Sequence, residues 1–135
     1  MVDPNKNYDY SEVRLYSVGD PATRYNDIEL AMKNNLLSLG SNDYVTVEGL
    51  DMRYGSLHGL DGANIDHINL LNNNLYMVGG SIQTYNAGTR PAVRYGNCIE
   101  FGCRSEYILV ENNTIDSCYD AAMSSQAWGG CGPTR

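Results

Sequence analysis

The chain has 135 residues, 42% of them apolar and 19% charged, which suits one domain with a core and argues against wholesale disorder. Its formal charge of −7 argues against a phosphate backbone as natural partner, and no apolar run approaches the ~18 residues of a membrane span. Fifteen Asn, 14 Gly and 11 Tyr among 13 aromatics favour tight turns and polar, ring-lined surfaces over a large aromatic core.

Met1–Tyr10 holds no apolar stretch resembling a secretion signal. Val13-Arg14-Leu15-Tyr16-Ser17-Val18 alternates as a strand does, within an N-terminal section (1–42) expected to hold the first strands. Three later segments align without gaps: Asp43–Gly49, Asp66–Asn72 and Glu106–Asn112. Each carries apolar residues at alternate positions, the period of a strand with one buried face. Val45 to Ile68 spans 68 − 45 = 23 residues, and Ile68 to Ile108 spans 40, one period plus 17.

A second element recurs 15 residues on, at Leu60 and Met123. Ile99 is its middle equivalent if the extra residues fall between Met77 and Gly96. The repeats thus occupy 43–128 with an insertion at 78–95, and 129–135 forms a tail without a covering helix. Short strands, no helical stripe and a period near 23 predict an all-β parallel β-helix, or β-solenoid. The rival, an antiparallel sandwich, predicts no fixed register. Asn73 and Asn113 share a position just past the first strand, where stacked amides can hydrogen-bond between repeats. Leu50 holds that position in the first repeat, so such a ladder starts at the second.

The segments Tyr44–Leu50, Arg53-Tyr54-Gly55 with His58-Gly59-Leu60, Arg94–Phe101, and Val110–Ile115 with Tyr119–Met123 resemble bacterial right-handed parallel β-helix repeat proteins of the pectate-lyase-like superfamily. The resemblance covers roughly Val13 to Gln126 and implies a right-handed β-helix of the kind that hosts polysaccharide lyases and glycoside hydrolases. Cys98 and Ala122 stand where that pattern leads one to expect Gly. The small number of coils implies a short member or a piece of a longer β-helix, with open ends that favour self-association.

Strand alternation places candidate chemistry. Leu60, Ile99 and Met123 are expected to point inward, so Asp61, Glu100 and Ser124 point outward in one column. Two carboxylates ~4.8 Å apart suit a glycosidase pair, and Asp120 can join them. Arg53-Tyr54 and Arg94-Tyr95 offer guanidinium and ring contacts to a sugar or its carboxylate. His58 or Tyr95 can move the proton that a lyase reaction requires. Tyr85, in the inserted loop, and Gln126 complete the expected substrate contacts.

The two His and four Cys show no zinc spacing, and no cofactor is expected. Asp61, Asn64 and Asp66 supply calcium-type oxygens at a bend without a strict motif. Four Cys permit one or two disulfides, in keeping with an extracellular or cell-envelope setting. The sequon Asn112-Asn113-Thr114 is better explained by the Asn turn. The expectation is a polysaccharide-degrading hydrolase or lyase, or part of one. The alternative is a non-catalytic glycan-binding or self-assembling solenoid.

Overall fold

The computed structural model describes residues 15–84, 93–127 and 131. The chain divides into two compact units, Met1–Leu30 and Ala31–Arg135. In the first, Leu15–Val18 is irregular rather than a strand. Its apolar side chains bury no face: Leu15, Tyr16 and Val18 are all exposed. Val13 and Arg14 lie outside the described residues. The regular element here is a single helical turn, α1 (Pro21–Arg24), started by Asp20, whose side chain accepts from the Ala22 N–H at 2.9 Å. An Asp cap followed by Pro is a strong helix start.

The second unit runs, in chain order, β1 (Leu37–Ser38), β2 (Thr46–Glu48), β3 (Asp51–Arg53), β4 (Leu60–Ala63), β5 (Asp66–Leu71) and β6 (Asn74–Val78). There follow β7 (Ile82–Thr84), β8 (Val93–Arg94), β9 (Ile99–Gly102), β10 (Glu106–Glu111), β11 (Thr114–Cys118) and β12 (Met123–Gln126). Three parallel sheets result, with strand orders β1-β4-β9-β12, β10-β5-β2 and β11-β6-β3, and β7 and β8 form an antiparallel ribbon. The described residues are thus mostly β, in parallel sheets that do not close into a barrel.

The registers follow the repeat. Leu37 pairs with Leu60, Val47 with Leu70 and Met52 with Leu75, each 23 residues apart. Ile68 pairs with Ile108 and Leu75 with Ile115, each 40 apart. Leu60 to Ile99 is 99 − 60 = 39. The 17 additional residues are therefore split. Sixteen lie between β6 and β9, and one lies in the Cys103–Ser105 turn before β10. Tyr44, His67 and Tyr107 all take positive φ, as do Gly49, Asn72 and Asn112, so the chain bends alike in each repeat. The rings of Tyr44, His67 and Tyr107 stack at 4.7 and 4.9 Å.

Leu60, Ile65, Ile68, Leu70, Leu75 and Ile99 are buried to 2% exposure or less, and burying each such side chain contributes roughly 1.5–3 kcal/mol. Val45 and Ile108 are only partly buried but pack on this core. Met123 departs from expectation. It pairs with Ile99 in register yet is 54% exposed, because β12 is the edge strand of its sheet and no described strand lies beyond it. Disulfides join Cys98 to Cys118 and Cys103 to Cys131. Cys98 stands where the next-strand partner of Gly59 runs, and a Cβ on Gly59 would lie 2.5 Å from the Cys98 carbonyl oxygen.

The amide ladder forms as well. Asn73, 1% exposed, donates from Nδ2 to the Val47 carbonyl and to Asn113 Oδ1, each at 2.9 Å, while its own Oδ1 accepts from the Leu50 N–H. Asn113 Nδ2 continues to the Leu70 carbonyl at 2.7 Å. Removing such a side chain leaves buried partners unsatisfied. Asn73→Ala is expected to cost about 2–3 kcal/mol, read as a lower urea midpoint with an unchanged m-value. An unchanged midpoint would show that the ladder contributes nothing.

Candidate functional site

The third strand of each repeat carries the site. Alternation sends Leu60 and Gly62 of β4, and Ile99 and Phe101 of β9, into the core. Asp61 and Glu100 point to the other side, paired in register, with Ser124 of β12 next in the column. They border a cleft of about 460 Å³ whose walls also include His58, Arg94, Tyr95, Asn97, Asp120 and Gln126. Seven of the ten residues nominated from sequence therefore meet in one place: Glu100, Asp61, Asp120, His58, Arg94, Tyr95 and Gln126.

Three do not. Arg53 and Tyr54 end β3 and are not among the cleft residues. Arg53 is held by Asp51 two residues earlier, through both guanidinium and carboxylate, and Tyr54 meets Tyr76 edge-on at 6.2 Å. The two Arg-Tyr-Gly triplets are not repeat equivalents: Arg53 pairs in register with Tyr76, while Arg94 belongs to the inserted ribbon. Tyr85 lies outside the described residues.

Glu100 is the most enclosed carboxyl among the cleft residues. It faces away from the hydrophobic core and is still only 5% exposed, because the bend Tyr95–Asn97 folds back beside it. Asn97 Nδ2 donates to its carboxylate, and Asn97 Oδ1 accepts from the Ala121 N–H of the next repeat at 3.2 Å. Burial pushes the Glu100 carboxyl above its ordinary range, and the neighbouring Asp61 charge adds to the rise. Hydrogen bonds from Asn97 and Ser124 and the charge of His58 work against it without cancelling it. Gly96 makes the close approach possible: a Cβ there would lie 2.6 Å from Asp120 Cβ and 2.7 Å from its amide nitrogen.

His58 occupies a corner that Asn fills in the neighbouring repeats. Asn35 Oδ1 accepts from the His58 N–H at 3.1 Å, just as Asn97 Oδ1 accepts from Ala121. The imidazole instead turns its edge to Tyr95, at 5.2 Å between ring centres. Its Nδ1 is enclosed without a hydrogen-bond partner, and so is Oδ1 of Asp61. Arg94 donates to the Gly80 carbonyl. Asn35, Gly96 and Asn97 were not anticipated from the sequence. The Asn corner was hidden because His58 interrupts it.

Among the described residues, no group of three or more His, Cys, Asp or Glu side chains is arranged to hold a metal ion. Of the three oxygens considered for calcium, Asp61 lines the cleft and Asp66 lies 2.9 Å from His67 Nδ1. No described helix is long and apolar enough to cross a membrane. Family models, curated proteins and solved structures were all compared with this chain, and none matches.

The raised Glu100 carboxyl has a consequence for stability. Between its ordinary and its raised titration range, the folded chain holds a proton that the unfolded chain has lost. The Glu100 contribution to stability is therefore present below the ordinary carboxyl range and lost as pH rises through the raised one. Glu100→Gln should flatten that part of the profile, measured as urea stability between about pH 4 and pH 7. An identical slope in the variant would mean that Glu100 titrates normally.

Proposed function

We propose that this chain is a right-handed parallel β-helix of the pectate-lyase-like kind, and that its cleft hydrolyses glycosidic bonds in a polysaccharide. The winding is supported by three parallel sheets that each take one strand per repeat. The chemistry rests on one observation: Glu100, buried and held by Asn97, stands in register beside Asp61 on the adjacent strand. Neighbouring strands lie ~4.8 Å apart, close to the ~5–5.5 Å carboxyl spacing of hydrolysis with retention.

In this reading, Glu100 enters the reaction protonated, because burial disfavours its charge. It gives its proton to the glycosidic oxygen as the bond to the anomeric carbon breaks. The Asp61 side chain bonds to that carbon from the opposite face. Water then displaces Asp61, giving its proton to Glu100 and restoring both groups. Tyr95 and Gln126 line the same cleft and present ring and amide to sugar hydroxyls. Arg94 gives one hydrogen bond to the Gly80 carbonyl and keeps its charge and remaining N–H donors, so a lyase that neutralises a uronate carboxyl is the second reading. Two disulfides suit an oxidising, extracellular or cell-envelope setting.

Reducing-sugar release from a glycan panel, with absorbance of unsaturated product followed in parallel, tests the reading. Glu100→Gln should lower turnover by at least ~10²-fold while leaving the fold and glycan affinity intact. Unsaturated product would identify a lyase instead. Glycan binding with no turnover would make the cleft a recognition site.

A further inference from the structure

Two places before each strand of the four-stranded sheet stands one column of residues: Asn35, His58, Asn97 and Ala121. Asn35 Oδ1 accepts from the backbone N–H of His58 in the following repeat at 3.1 Å, and Asn97 Oδ1 does the same for Ala121 at 3.2 Å. That backbone contact fixes the amide's orientation. A peptide N–H only donates, so the atom of Asn97 that meets Ala121 is oxygen and the atom left over is nitrogen. Three residues on from Asn35 stands Ser38. Three on from Asn97 stands Glu100, whose Oε2 accepts from that nitrogen. Both partners are buried, Asn97 to 4% exposure and Glu100 to 5%.

Resting on the hydrolase reading above, we infer that Asn97 is a positioning residue that keeps the acid proton of Glu100 on Oε1, the oxygen it does not touch. An amide nitrogen offers hydrogens and accepts none, so Asn97 cannot hold that proton, and the oxygen facing it serves as the carbonyl acceptor. Turned over, the same amide would present Oδ1, accept the acidic hydrogen and keep it in a bond within the protein rather than leave it for the departing sugar oxygen. The Ala121 N–H opposes this, because a turned amide would set two donors face to face. Ser124, which also hydrogen-bonds Glu100, imposes no such choice, since a hydroxyl can donate or accept. One backbone N–H of the last repeat thus helps decide which oxygen of Glu100 is the acid.

Side-chain amide NMR of the whole native chain across pH tests this without a substrate. One Asn97 Nδ2 proton should move downfield with the midpoint of Glu100, because a hydrogen bond to an ionised acceptor is stronger, while the Ala121 N–H stays bonded throughout. An Asn97 proton that ignores Glu100 would overturn the inference, as would an Ala121 N–H released when Glu100 takes up its proton. Asn97→Leu keeps the volume and the cover but offers no donor. Asp61 and His58, the charged neighbours that also act on Glu100, are untouched by it. In this variant the Glu100 midpoint should lie above the native one, since a bond favouring the charged form is gone. Turnover should fall at least ~10-fold with KM little changed. An unmoved midpoint would overturn the inference. So would a lowered one, which would show that Asn97 only keeps water from Glu100. If Asn97→Leu does not fold, the native amide titration decides alone. Should the NMR results be as expected while no glycan is hydrolysed, the proton placement stands and the hydrolase reading falls. Hydrolysis that depends on Glu100 but not on Asn97 reverses that outcome.

Discussion

Parallel backbone pairing between residues 23 apart decides which side chains become neighbours in this molecule. Val47 with Leu70 and Met52 with Leu75 keep that spacing, and the Asn73–Asn113 amides tie the next repeat to it. In a strand a slip of one residue exchanges the two faces, so the same pairing that buries Leu60 and Ile99 sets Asp61 beside Glu100. The chain tolerates its additional residues because they enter at bends. Sixteen form the excursion before β9, and the seventeenth sits in the turn after it, leaving the strands themselves in phase.

The same excursion explains why Glu100 is buried. An acid on the outer face of a sheet is ordinarily solvated. Here the chain returns from the inserted ribbon through Tyr95-Gly96-Asn97 and closes over it, and Gly96 lets Asp120 of the next repeat press in behind. Asn97 spans both sides of that closure, donating to Glu100 and accepting from Ala121. The Cys98–Cys118 disulfide anchors the residue that leads into β9, and a bridge of this loop size contributes roughly 3 kcal/mol. In the proposed reaction, rigid support of this kind would keep Glu100 in place. A carboxyl held in a covered site, with a second carboxyl one strand away, is suited to giving up a proton.

Much of this was legible in the residues. The alternation in Asp43–Gly49, Asp66–Asn72 and Glu106–Asn112 is a local signal, and its period exposes the parallel pairing. The Asp61–Glu100 column needs more than that period: a step of 40 from Leu60 lands on Glu100 itself, and Ile99 takes the inward place only because one of the extra residues enters after β9. What stayed hidden depends on neighbours. Whether Met123 is covered depends on a strand beyond β12, and whether Leu15–Val18 pairs depends on a partner; neither is written in the segment itself. Arg53 and Arg94 share a triplet but not a register, since the insertion moves the second into a ribbon. The burial of Glu100 and the role of Asn97 come from how the excursion returns, which no periodicity records.

The protonation of Glu100 is where fold and proposed chemistry meet. It is measured directly by following the Glu100 carboxyl carbon by NMR as pH is varied, in the native chain and in Asp61→Asn. The expected midpoint lies clearly above the ~4.3 of an unperturbed Glu. It should move down in the variant but stay raised, because burial is the larger cause and the Asp61 charge the smaller. A midpoint at or below the ordinary value would contradict a buried proton donor in this cleft.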